Sequence, residues 1–118
     1  CDTNTFVHSG NTYQGNWLGE NIWDYGGSGQ TNINSINGSS PVEDWFSEYV
    51  NYNWASPGFA SNTGHFTQTV WVGSTRFGIG ICCTADNTTC YVVGNYYPGG
   101  NVGGSYPQNV LQPPCSGK

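Results

Sequence analysis

What most constrains this chain is a dense set of aromatic side chains in a sequence with almost no charge. Five Trp, eight Tyr and five Phe make up 15% of 118 residues, whereas Asp, Glu, Lys and Arg together make up 8%. Each buried aromatic withdraws a large apolar area from water, so a packed core is available despite 18 Gly and much Asn, Ser and Thr. An average domain is about 25% charged. Here the only cationic side chains besides the His pair are Arg76 and Lys118, and the net charge is −5. That balance offers no basic face for phosphates, which excludes nucleic acid as a partner, and it disfavours docking to anionic lipid surfaces. Solubility must rest on neutral polar groups and on glycans. No stretch approaches the roughly 18 apolar residues of a membrane span.

The length fits a single domain, residues 1–118, with a Gly- and Pro-rich tail from about 98 to 118 expected to wrap the surface. Five Cys in so short a chain imply an oxidising compartment and a secreted, extracellular protein. Two sequons, Asn37-Gly38-Ser39 and Asn87-Thr88-Thr89, agree with that and make Asn37 and Asn87 candidate glycosylation sites. The chain opens at Cys1 without an initiating Met, as a processed or trimmed product would.

Residues 1–19 read as loop and short extended pieces, 20–25 as a short strand and 26–39 as a surface loop. Ser40-Pro41-Val42-Glu43 carries a capping-box pattern with Pro at the first helical position. Val42, Trp45, Phe46 and Tyr49 then make one apolar stripe, which predicts a helix ending before Pro57-Gly58. Glu48 lies at the stripe's edge, where a carboxylate is ordinarily solvated. Residues 66–72 are ambiguous, their β-branched content favouring a strand. Residues 76–83 and 90–97 read as an antiparallel pair, with Phe77, Ile79 and Ile81 on one face and 84–89 as the connecting loop.

The chain has two histidines, His8 and His65, far apart in sequence. Two imidazoles with nearby carboxylates can hold Zn²⁺, but the spacing carries no such signal, and neither H-E-x-x-H nor G-x-S-x-G is present. The cysteines fit bridges better than Cys–His catalysis.

Five elements nevertheless occur in a telling order: His8-Ser9, Gly19-Glu20-Asn21, Trp45-Phe46-Ser47-Glu48, Gly64-His65-Phe66-Thr67-Gln68-Thr69-Val70-Trp71, and Gly94-Asn95-Tyr96-Tyr97-Pro98-Gly99-Gly100-Asn101. Together they resemble the signatures of the CAP superfamily of cysteine-rich secretory proteins, antigen 5 and pathogenesis-related class-one proteins. The resemblance implies an α+β fold, an α-β-α sandwich around a small antiparallel sheet, with 66–71 a short helix rather than a strand. It implies a cleft lined by His8, Glu20, Glu48 and His65. There His8 and His65 could bind Zn²⁺ or another divalent cation, not required for folding, with the carboxylates orienting the rings. The same four residues could equally form a structural hydrogen-bond network.

The chain also departs from the family pattern. Gly94 stands where relatives have Cys, and Gly78-Ile79-Gly80 replaces a G-C-G element, so both halves of one family disulfide are missing and the two positions should be neighbours across the hairpin. Cys1 resembles the cysteine that bridges to the strand near Cys82 or Cys83, and adjacent strand residues point to opposite faces. The pairing favoured by the resemblance is Cys1–Cys83 with Cys82–Cys90, leaving Cys115 unpaired or intermolecular. The first helix of relatives, which covers one face of the sandwich, is absent. A second chain could fill that face or bond through Cys115. The function implied is a secreted binding module for a sterol or other small lipid, with the loop Pro57, Gly58, Phe59 through Phe66 in contact with it. A structural subunit of an extracellular complex and a metal-dependent hydrolase are the alternatives. Pro98-Gly99-Gly100-Asn101 resembles the start of a releasable signalling peptide in plant relatives, although the Ser105-Tyr106-Pro107 that follows departs from its ending.

Overall fold

Three antiparallel strands carry the architecture, in the spatial order β3-β5-β4. The structure, a computed structural model, describes residues 8–26 and 36–113. A small hairpin comes first, β1 (Thr12–Tyr13) and β2 (Asn16–Trp17), joined by Gln14 and Gly15, both at positive φ. That is the backbone a two-residue hairpin turn requires. Strand β3 (Gly19–Gly26) follows, then α1 (Ser39–Ser47), which tightens into a 3-10 turn at Glu48–Asn51. Helix α2 (Gly64–Val70), strands β4 (Arg76–Cys83) and β5 (Thr89–Tyr97), and the one-turn α3 (Tyr106–Asn109) complete the described chain.

Strand β5 is the spine, paired along its length with β3 on one side and β4 on the other. Its Cys90, Val92, Gly94 and Tyr96 are buried and alternate with half-buried neighbours, as a central strand pressed against helices on one face must. The buried Trp45 of α1 packs over Gly94, where an added Cβ would stand 2.9 Å from Phe77 Cε2 and 3.2 Å from the Trp45 ring. Trp45 Nε1 donates to the Ile22 carbonyl at 3.3 Å, and Trp23 Nε1 donates to Asp44 at 2.6 Å, so α1 is stitched to β3 from both directions. A second cluster of Tyr52, Phe66, Trp71, Tyr106 and Val110, edged by Trp54 and Val70, fills the space behind α2.

The hairpin of residues 76–97 matches its sequence pattern, and Ile79 stands directly opposite Gly94, the two positions from which the family disulfide is missing. Residues 66–70 are helical, as the family resemblance implies and against their β-branched preference, because Phe66 and Val70 meet the aromatic cluster only at helical spacing; the chain is extended again at Trp71. Three expectations are corrected. Helix α1 starts at Ser39 rather than after a Ser40 cap, since Asn37 Oδ1, one residue further out, accepts from both the N–H and hydroxyl of Ser39 at 3.0 Å. Its α-helical part also ends early, at Ser47. The tail does more than wrap the surface: Tyr106 and Val110 are core residues, and Tyr106 meets Trp71 edge-on at 5.0 Å.

The disulfide preference is corrected as well. Cys83, not Cys82, bonds Cys90, because these two residues face each other in the β4–β5 register with Cα atoms 3.9 Å apart. Cys82 faces Tyr91 instead and is itself disulfide-bonded. Cys1 and Cys115 lie outside the described residues.

Gly94 is thus a packing requirement. Gly94→Val should lower stability by about 1–3 kcal/mol through overpacking against Trp45 and Phe77. Urea denaturation checks this, and an unchanged midpoint would mean that the Trp45–sheet joint is looser than described.

Candidate functional site

Two His–carboxylate pairs form where β3 and α2 begin. Glu20, the second residue of β3, has a side chain only 8% exposed. Its Oε1 accepts from the Ser9 N–H at 2.9 Å and lies 3.0 Å from His8 Nδ1, while Oε2 accepts from the Ser9 hydroxyl at 2.6 Å. Glu48, first residue of the 3-10 turn, lies across from the start of α2. Its Oε2 is 3.1 Å from His65 Nδ1 and its Oε1 accepts from the Phe66 N–H at 3.0 Å. A carboxylate at the first turn of α2 also satisfies one of the amide donors that a helix start leaves unpaired.

An ionised carboxylate can only accept, so each imidazole turns an Nδ1–H toward its Glu, and Nε2 is the ring nitrogen that a neutral imidazole would leave with a lone pair. Among the described residues no hydrogen bond engages either Nε2. Burial pushes the Glu20 carboxyl up, but the Ser9 hydroxyl, the Ser9 amide and His8 outweigh it and hold its pKa below the ordinary carboxylate value.

Helix α2 is placed by groups that sequence reasoning did not single out. Asn21, 2% exposed, donates through Nδ2 to the His65 carbonyl and the Thr69 hydroxyl, both at 3.1 Å. Gln68, also buried, accepts from the Gly100 N–H at 2.8 Å and donates to Ser74 at 3.1 Å. A Cβ at Gly19 would collide with that Gln68 amide, so the first residue of β3 must be Gly. Thr67 Oγ1 lies 2.5 Å from Asn101 Oδ1, tying the α2 signature to the second one. The hint in the sequence was the presence of Asn21, Gln68 and Asn101 inside the quoted motifs; their burial was not legible.

The sequence-predicted residues therefore fall into two pairs, His8 with Glu20 and His65 with Glu48. Among the described residues, no group of three or more His, Cys, Asp or Glu is arranged to hold a metal ion. A carboxylate that accepts from one ring nitrogen is the outer partner that metal-ligating imidazoles commonly have. Of the predicted lipid loop, Pro57 and Phe59 are exposed, Gly58 is half-buried and Phe66 is buried. Phe59 reaches back to Gly64, where a Cβ would stand 3.1 Å from its ring.

Behind α2 lies an apolar groove of about 330 Å³ bounded by Phe46, Tyr49, Trp54, Phe66, Val70, Val72, Leu111 and Pro113. Phe66 links it to the polar pairs: its N–H is held by Glu48 and its ring meets Phe46 edge-on at 5.7 Å. Among the described residues no helix is long and apolar enough to cross a membrane.

Comparison with known proteins agrees with this architecture. The model of the cysteine-rich secretory protein (CAP) family matches residues 1–96. Golgi-associated plant pathogenesis-related protein 1 of Homo sapiens is 42% identical over 78 residues, 64% of this chain and 50% of that protein. Protein PRY2 of Saccharomyces cerevisiae is 34% identical over 112 residues, 94% of this chain and 29% of that one. The chain thus spans half or less of these relatives. The solved structure of BmVAL-1 superposes with a TM-score of 0.62 at 24% identity, over 72% of this chain and 46% of that one. NaASP2, crystallised with Zn²⁺, gives 0.54 at 28% identity over the same shares.

Glu20→Gln should cost about 1 kcal/mol at neutral pH, where the charged acceptor is lost from three hydrogen bonds. Because the folded-state pKa of Glu20 is depressed, its contribution is complete above the unfolded-state value and disappears as pH falls through the folded one. The wild-type and variant stability curves should therefore converge on acidification. A gap that stays constant into acid would contradict the assignment.

Proposed function

Because this chain belongs to the cysteine-rich secretory protein family, we propose that it is a secreted binding module that takes a sterol or other small lipid in the groove behind α2. The observation that carries this reading is the groove itself: seven aromatic or branched side chains in its walls, a volume near the lower end of small-molecule sites, and an open rim. Phe46 and Tyr49 are about half exposed at that rim, so an apolar ligand would remove from water surface that the empty protein leaves wet. The Tyr49 hydroxyl offers one polar handle for a ligand with a single oxygen. Exposed Phe59, on the loop that leads into α2, extends the apolar path away from the groove.

The reading also gives the His65–Glu48 pair a role. It pins the start of α2, and through Phe66 it sets the inner wall of the groove. Zn²⁺ or another divalent cation, when bound, would be held by Nε2 of His8 and His65 and would add rigidity there. The zinc-containing structure of the similar NaASP2 supports trying that cation first. Two imidazoles make a weak site beside the three or four ligands of established zinc centres, which weighs against hydrolysis as the main activity. Salivary antigen-5 of Dipetalogaster maximus and the secreted protein PRY1 of Candida albicans are similar in sequence and support an extracellular setting.

A fluorescent sterol and a fluorescent fatty acid titrated into the protein should each show saturable binding or the lipid class fails. Phe46→Ser and Tyr49→Ser should each weaken binding about tenfold, since about 1.4 kcal/mol of apolar contact is at stake for a half-buried ring. Unchanged affinity in both variants would move the ligand elsewhere. Zn²⁺ should raise the melting temperature of the wild type and leave His8→Ala and His65→Ala unmoved; a shift that survives in both would exclude these imidazoles as ligands.

A further inference from the structure

The two sequons occupy different structural settings. Asn87 stands exposed at the tip of the β4–β5 hairpin, with its backbone in the left-handed region at φ 57°. The turn around it is tied by its own hydrogen bonds. Asp86 Oδ1 accepts from the Thr84 hydroxyl at 2.6 Å, the Thr88 hydroxyl at 2.8 Å and the Thr88 N–H at 3.1 Å. Those bonds hold the Asp86 carboxyl down to about 2. The turn is closed by the Thr84 N–H to the Thr89 carbonyl at 2.8 Å and, one residue further in, by the Cys83–Cys90 disulfide. Asn37 is engaged differently: its Oδ1 holds the N–H and hydroxyl of Ser39, so that sequon is folded into the start of α1.

We propose that Asn87 is an N-glycosylation site, presenting its glycan from the hairpin tip. A glycan is added to an unfolded or folding chain, so the folded structure has only to leave room for the product. At Asn87 it does, because Ala85, Asp86, Asn87 and Thr88 are all exposed. The Cys83–Cys90 bond beneath the tip points independently to the oxidising compartment in which such transfer takes place. The step balances without redox chemistry. The Asn87 amide nitrogen forms a bond to C1 of an oligosaccharide carried on a polyprenyl pyrophosphate, the C1–O bond to pyrophosphate breaks, and one amide proton leaves to the transferase base.

The position has a physical use. Among the described residues β4 lies at an edge of the sheet, with Phe77 and Ile79 about half exposed and Arg76 as its one charged residue. Edge strands of that kind are templates for pairing with another chain unless charge or bulk blocks the approach. A hydrophilic glycan at the end of the hairpin supplies bulk in a chain that is only 8% charged.

The test is expression of the chain behind a secretion leader in a eukaryotic host, with both medium and cell extract digested by peptide N-glycosidase. The expected result is a mass decrease on digestion and conversion of Asn87 to Asp in the peptide map. Asn87→Gln should remove the glycan from that peptide, and Asn37→Gln should leave it in place. A protein of unmodified mass in both fractions, or a glycan confined to Asn37, would overturn the proposal.

Discussion

The rest of the structure depends on a buried amide. Asn21 lies at the third position of β3, and its side chain reaches across to the His65 carbonyl and the Thr69 hydroxyl on α2. A polar group buried to that degree is costly unless satisfied, so the two bonds leave little freedom in how the helix sits on the sheet. Everything that follows in α2 inherits that placement. His65 is brought to Glu48, Phe66 is turned toward the aromatic cluster, and Gln68 is delivered to Gly100. The polar half and the apolar half of the molecule are thereby two faces of one short helix.

This economy explains how so few charges suffice. The described chain holds α2 by neutral amides and hydroxyls together with Glu48, and Glu20 and Glu48 are the carboxylates set against the two imidazoles. The hydrophobic contribution is concentrated in rings: Trp45 over Gly94, and Tyr106 against Trp71. Glycine at 19 and 94 marks the two closest approaches between sheet and helices, where a side chain would displace Gln68 or Trp45.

Much of this was legible in the sequence, for reasons that differ by element. The β4–β5 hairpin follows from strict alternation, and the missing cysteine pair correctly placed Ile79 opposite Gly94. The helical stripe found α1 but misplaced its start, because the N-cap is Gly38, with Asn37 holding Ser39 from one residue further out, and local pattern cannot rank that against a Ser40 cap. Residues 66–72 illustrate the converse. Their intrinsic preference is for a strand, and tertiary contacts through Phe66 and Val70 override it; only the family resemblance pointed to a helix. The His–Glu pairs were likewise invisible to spacing and came from the resemblance alone. The choice between Cys82 and Cys83 needed the actual register, and the core role of Tyr106 was hidden by the Gly-rich stretch before it.

The central claim is that the Glu48–His65 pair and Asn21 fix α2 so that its far side forms a lipid-sized groove. Backbone and methyl chemical-shift mapping with a soluble fatty acid addresses it directly. The account predicts perturbations gathered at Phe46, Tyr49, Trp54, Phe66, Val70, Val72 and Leu111, with smaller changes at His65 relayed through α2. Perturbations gathered instead on the exposed Phe77, Ile79 and Ile81 of β4, or none at saturating ligand, would contradict it.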